Sequence, residues 1–309
     1  MKQSVKAGFL VITAGICWGI IGVFTRCLAS YGFTSLQITS CRAILTTLML
    51  AVYCALREPS AFRIHLKDLW CFLGSGLLSI VFFNVCYFLT IEASTLSTAA
   101  IMLYTAPCFV ILFSAVLFHE KITVKKCAAL VLAFSGCALT AGILGGSVSL
   151  SLFSFMTGIG SGLGYALYSI FSKIALRRYD ALTVTFWTYL TAGVGIAPFC
   201  GLPEMAGKIA QDPSLIWMII PLALVCTLIP SLLYTKGLTM IEAGRASVMA
   251  FVEPLTATIC GIALFGEQLT PVSAAGIALI FVSILILNID IPKRDGQKNM
   301  TQESSDSTR

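Results

Sequence analysis

The sequence predicts an all-α polytopic membrane protein: ten transmembrane helices arranged as two inverted five-helix repeats. Three observations lead there. Of the 309 residues, 58% are hydrophobic and only 11% are charged, with a mean hydropathy of +0.93. A soluble globule of this size carries charge on about a quarter of its residues. Long apolar runs recur from end to end with short polar breaks, and these residues leave no room for a separate soluble domain. Finally, the stretch Tyr104 to Thr123 is written again 147 residues later, as Phe251 to Thr270.

Taking about 20 apolar residues as one crossing, the runs lie at 8–28, 35–56, 69–91, 95–118, 124–144, 152–175, 180–201, 214–236, 242–265 and 271–291. The first follows Lys2 and Lys6 in the manner of a signal peptide, but it is too long and lacks a convincing cleavage site. With the amino terminus in the cytoplasm, 17 of the 20 Lys and Arg residues fall on cytoplasmic segments; Arg26 and Lys208 lie outside and Arg42 lies within a span. That bias places both termini in the cytoplasm of a multi-pass plasma membrane protein, in bacteria the cytoplasmic membrane. The tail 292–309 is polar and is expected to be disordered.

The repeat register is fixed by Pro107 and Pro254, the pairs Leu117-Phe118 and Leu264-Phe265, Glu120 and Glu267, and Thr123 and Thr270. It extends to Trp18 on Tyr165, Arg26 on Lys173 and Tyr87 on Tyr234. A period this long marks a duplication rather than a solenoid, with copies at 1–146 and 147–291. Five crossings is an odd number, so the second copy sits upside down relative to the first. Two similar halves of opposite orientation can exchange conformations, which opens a central site to either side in turn.

Ten spans in five-plus-five halves, the early Trp18-Gly19 pair and the segments Leu-Phe-His-Glu-Lys-Ile-Thr and Leu-Phe-Gly-Glu-Gln-Leu-Thr resemble the EamA-type transporters of the drug/metabolite transporter superfamily. The resemblance covers nearly the whole chain. It implies a secondary carrier, commonly an exporter of amino acids, metabolites or drugs, and it implies no particular substrate.

Two ionisable residues lie well inside spans, where charge is costly and function is the default hypothesis. Glu253 sits 11 residues past Glu242, roughly 16 Å deep at 1.5 Å per residue. Arg42 lies about 10 Å in from Ser35 by the same rise. The functional reading makes Glu253 a proton acceptor or a binder of a substrate amine, with Arg42 holding a carboxylate or phosphate. The bland reading makes them a structural ion pair. The repeat counterpart of Glu253 is the uncharged Ala106.

Pro107 and Pro254 each remove a backbone donor mid-span, which either kinks the helix or offers a carbonyl to a cavity. Glu120 and Glu267 lie at tight turns before a capping Thr and read as structural capping or turn-fixing residues, whose Gln variants are expected to lose folded yield before substrate preference. Gly15 and Gly19, and Gly160 and Gly164, are small residues four apart that allow close helix approach near the axis relating the halves. The Gly158 to Gly164 run is no nucleotide loop, having neither a preceding strand nor a following Lys-Ser/Thr.

Asn84 and Tyr87 share a face of the third span, and Ser231 and Tyr234 repeat that spacing in the eighth. These four are ranked as substrate contacts above Trp18, Tyr104, Tyr165, Tyr168 and Tyr189, each of which also reads as packing or as an interfacial anchor. The 12 cysteines lie in apolar runs with no Cys-x-x-Cys pair, so no metal site or disulfide framework is expected. No cofactor and no nucleic-acid partner is implied. Proton coupling remains open, as does the choice between monomer and homodimer; the partners are a small-molecule substrate and the lipid bilayer.

A lipid or polyprenyl-phosphate flippase of the same fold is the nearest alternative. A membrane enzyme is disfavoured because His65 and His119 both fall in loops, and a motor-driven pump because no Walker loop is present.

Overall fold

The computed structural model describes residues 2–140, 151–266 and 268–288. The expected repeat boundary at 146/147, Glu267 and the 292–309 tail lie outside them. Among the described residues the chain is helical without strands, and its helices join into ten crossing segments. Spans 1 to 4 run Gln3–Ser30, Ser35–Arg57, Leu66–Ala93 and Thr98–Phe118. Span 5 is Val124–Thr140 and span 6 is Leu152–Ala175. Spans 7 to 9 are Ala181–Phe199, Pro213–Leu238 and Ala243–Phe265, and span 10 is Pro271–Asn288. A short amphipathic helix, Leu202–Gln211, joins spans 7 and 8.

Seven of the ten are long and apolar enough to cross a bilayer on length and composition alone. Spans 5 and 10 are shorter, at 17 and 18 residues, and pack on each other where Gly136 meets Gly276. Span 6 has the length, but glycines, serines and tyrosines dilute its apolar character. These are the residues a span needs when its surface faces other helices rather than lipid.

The packing obeys the repeat. Span 3 lies on span 6, and its counterpart span 8 lies on span 1; span 4 also lies on span 6, and span 9 on span 1. Spans 2 and 7, 4 and 9, and 5 and 10 each pair with their own counterpart. Gly15 and Gly19 bring span 1 against span 9: a Cβ at Gly19 would lie 2.5 Å from the Glu253 carbonyl oxygen. Gly160 and Gly164 bring span 6 against Cys86 and Phe83 of span 3.

The two prolines do more than kink. Span 4 is two helices, Leu96–Leu103 and Ala106–Phe118, and span 9 is Ala243–Met249 followed by Val252–Phe265. Pro107 and Pro254 sit in the first turn of the second helix, where a missing N–H costs nothing. Spans 3 and 8 depart from α geometry too, through π-helical turns at Gly74–Val81 and Leu224–Leu228 that overlap at the 147-residue offset. Nothing in the hydrophobic pattern anticipates them.

After each Leu-Phe pair the chain turns through a left-handed residue, His119 (φ 54°) or Gly266 (φ 65°), which terminates the helix as such caps do. Thr123 and Thr270 then cap spans 5 and 10 by accepting from Lys126 N and Ser273 N. Glu120 is a capping residue, but for a helix of the other copy: it reaches across the repeat and caps span 9, accepting from Ala243 N at 2.8 Å and Gly244 N at 3.2 Å. Buried Lys126 bridges it to Glu242, at 3.9 Å and 2.5 Å respectively. The sequence hides this because the partners are 123 residues away.

Two stability outcomes are expected in detergent melts. Glu120→Ala loses a helix cap together with its ion pair, a cost of about 1–2 kcal/mol, and an unchanged melting temperature contradicts the cross-repeat cap. Gly266→Ala meets open space but forces a Cβ into a left-handed backbone, costing about 1 kcal/mol, whereas His119→Gly relieves that strain and leaves the melt unchanged or higher.

Candidate functional site

A cavity of about 450 Å³ opens between the repeats, and its wall is built from helix faces at regular spacing. Span 2 contributes Ile38, Thr39 and Arg42, span 3 contributes Ile80, Phe83, Asn84 and Tyr87, and span 9 contributes Glu253, Ala257 and Cys260. Trp18 comes from span 1, Tyr104 from the break in span 4, Tyr165 and Tyr168 from span 6, and Tyr189 from span 7. The lining runs from mid-depth to the end of the bundle where spans 1 and 2 join. There Ser35, Arg26 and the exposed Phe265 form its rim.

The two intramembrane charges face this one cavity, yet they are not ion-paired with each other. Tyr165 donates its hydroxyl to Glu253 Oε2 at 2.8 Å. Arg42 donates Nε to Thr227 Oγ1 at 2.9 Å, and Thr227, itself buried, donates to Leu222 O at 2.9 Å. Leu222 is five residues earlier, and that reach exists because span 8 is π-helical at this level. Each charge is therefore held by a neighbour of its own, and among the described residues the terminal nitrogens of Arg42 make no hydrogen bond. The pairing reading is corrected: the protein keeps a cation and an anion apart in one chamber.

Beside them, Asn84 donates Nδ2 to Ile80 O at 2.7 Å and has the Thr39 hydroxyl 3.0 Å from its Oδ1. Ser79, in the π-helical turns of span 3, lines the cavity with a buried hydroxyl that has no hydrogen-bond partner among the described residues. The sequence pattern singled out neither Ser79 nor Thr227, since a lone hydroxyl in an apolar run gives no signal until the backbone aims it.

Of the ranked contacts, Arg42, Glu253, Asn84, Tyr87, Trp18, Tyr104 and Tyr165 line the cavity, while Ser231 and Tyr234 do not. Ser231 is fully buried and bonded to Tyr189 at 2.7 Å. Tyr234 bonds Ser169 at 2.7 Å and packs with Trp18 and Tyr168, ring centroids 5.2 and 6.0 Å away, as a floor. The repeat equates these positions in sequence but not in their surroundings: Tyr87 faces the chamber, whereas the hydroxyl of Tyr234 is taken by Ser169 and its ring by Trp18 on the far side. Pro107 and Pro254 also stay out of the main wall; Pro107 borders a small void of about 20 Å³ beneath the floor.

Below that floor the bundle is tied shut. Lys173 Nζ donates to Leu238 O and Ile241 O at 2.5 and 2.7 Å, alongside the Glu120, Lys126 and Glu242 group. Asp68 accepts from Arg178 at 2.9 Å and from Tyr179 at 2.8 Å, joining the first turn of span 3 to the turn after span 6.

Known proteins share this plan. A model of the EamA-like transporter family matches residues 5–142 and again 152–289. An uncharacterized transporter of Archaeoglobus fulgidus is 30% identical over 277 residues, covering 89% of this chain and 94% of that protein. The uncharacterized inner membrane transporter YicL of Salmonella typhimurium is 25% identical over 297 residues, covering 94% of this chain and 98% of its own length. A solved crystal structure superposes with a TM-score of 0.72 over 91% of this chain and 95% of its own, at 16% identity, and so shares the fold. With one match in each five-span copy, and relatives aligned almost end to end, the chain belongs to the EamA-like transporter family, a family of multi-pass membrane transporters.

Proposed function

We propose that the protein is a secondary carrier that exports small amphipathic metabolites, amino acids and related zwitterions, by alternating access. The observation that carries this reading is the separate anchoring of Arg42 and Glu253 in one aromatic-walled cavity. A buried cation and anion that neutralised each other would leave a ligand nothing to bind. Held apart, they offer a guanidinium to a carboxylate and a carboxylate to an ammonium, with Trp18, Tyr87 and Tyr104 against the apolar part. A volume of about 450 Å³ falls in the range of small-molecule sites.

Glu253 serves a second purpose in this reading. Within the bilayer its carboxyl is stable either protonated or paired, so a proton and an amine compete for it, and that competition couples export to the proton gradient. The Lys- and Arg-rich loops lie at the closed end, which makes the open end the outer face, with both termini in the cytoplasm of the plasma membrane. No cofactor takes part.

Reconstitution into proteoliposomes tests the reading. Export of a zwitterionic amino acid is expected to rise with an imposed pH gradient, and Glu253→Gln to abolish that response. Transport indifferent to both sinks the proton-coupled version. In thermal-shift titrations Arg42→Ala is expected to weaken binding of carboxylate-bearing solutes by roughly tenfold or more, the worth of a charged hydrogen bond. Thr227→Val, which leaves the guanidinium in place but untethered, weakens it by a smaller factor. Equal binding by all three proteins contradicts the assignment of Arg42.

A further inference from the structure

The closed end has a specific fastening. Carbonyl groups at a helix C-terminus lack intrahelical donors. Such an acceptor at the end of span 8, Leu238 O, and Ile241 O in the turn that follows converge on the Lys173 ammonium of span 6. Above it, Tyr234 lies against Trp18.

Exchanging each residue for its counterpart 147 positions away moves every part of this assembly to the open end. Lys173 becomes Arg26, Leu238 and Ile241 become Ile91 and Ser94, and the pair Tyr234 and Trp18 becomes Tyr87 and Tyr165. Arg26, Ile91, Tyr87 and Tyr165 all line the open cavity. The substituted groups keep their chemistry, since Arg replaces Lys as a cation with several donors, and carbonyl acceptors belong to any residue. In the present state the Arg26 guanidinium stands over the Phe265 ring, 4.6 Å from its centroid, at the rim.

We propose that Arg26 is the gating residue of the open end: in the opposite state it leaves Phe265 and donates to the carbonyl oxygens of Ile91 and Ser94, as Lys173 now does to Leu238 and Ile241. Tyr87 closes over Tyr165 in the same movement. The two cations are thus one clamp used alternately, and each holds shut the end that the other leaves open. This inference rests on the alternating-access reading above.

Cys260, on the cavity wall, reports the state, because maleimide reaches it only while its end is open. Labelling in nanodiscs, quantified at the Cys260 peptide by mass spectrometry, separates it from the exposed Cys108 and Cys127. Removing charge-assisted hydrogen bonds from one state shifts a two-state equilibrium by roughly tenfold. Lys173→Gln is therefore expected to slow Cys260 labelling, by a factor that approaches tenfold as the closed state comes to predominate, and adding Arg26→Gln to the same chain to restore it.

Alone, Arg26→Gln slows transport without slowing labelling, and Arg26→Lys preserves transport. Failure of the double variant to restore labelling, unchanged labelling in a folded Lys173→Gln, or wild-type transport by Arg26→Gln overturns the clamp. Should Lys173→Gln not fold, the single Arg26 variants still decide the matter. A wild-type protein that moves no solute refutes the carrier reading instead.

Discussion

In the hydrocarbon core of a bilayer a peptide group that leaves its helix has no water to turn to, so every departure from regular helix must be held by neighbouring protein. This protein departs at four places deep in the bundle, the broken spans 4 and 9 and the π-helical turns of spans 3 and 8. They occur as two pairs related by the repeat, and all four lie within or beside the cavity wall. Tyr104 enters from one break and Glu253 from the helix that begins at the other, while one set of π turns aims Ser79 and the other aims Thr227 at Arg42. The irregular backbone and the candidate site are the same place because only protein surrounding a cavity tolerates both.

The duplication supplies the frame and its divergence supplies the chemistry. Arg42 is the counterpart of Tyr189, and Glu253 the counterpart of Ala106. Tyr189 belongs to an apolar cluster that Ile80, the counterpart of Thr227, packs against, so the position that tethers Arg42 in one copy is apolar in the other. Both charges were thus gained or kept on one side only. The cavity is thus a cage related by the repeat with one cation and one anion on its wall, the asymmetry on which the proposed zwitterionic substrate rests.

Much of this was legible in the amino-acid order. The span count, the repeat register and the two intramembrane charges follow from hydropathy and from the cost of burying a charge, and the structure places both charges on one cavity. What escaped depends on information a linear pattern does not hold. Tyr234 looks like Tyr87 in every local respect, and only its bond to Ser169 and its packing on Trp18 keep it out of the chamber. Glu120 looks like a turn residue, yet its acceptor oxygens serve a helix of the other copy. Thr227 is one hydroxyl among many until a π turn points it at Arg42. In each case the deciding contact joins segments far apart in the chain.

The central claim is that the two ends open in alternation about a shared cavity, and paired spin-label distances test it most directly. Labels at Glu92 and Leu264 span the open end, and labels at their repeat counterparts Thr239 and Leu117 span the closed one; all four positions are exposed. The account predicts opposed changes as solute or pH shifts the equilibrium, with the first distance shortening while the second lengthens. Two distances that move together, or that never move in a protein shown to transport, contradict it.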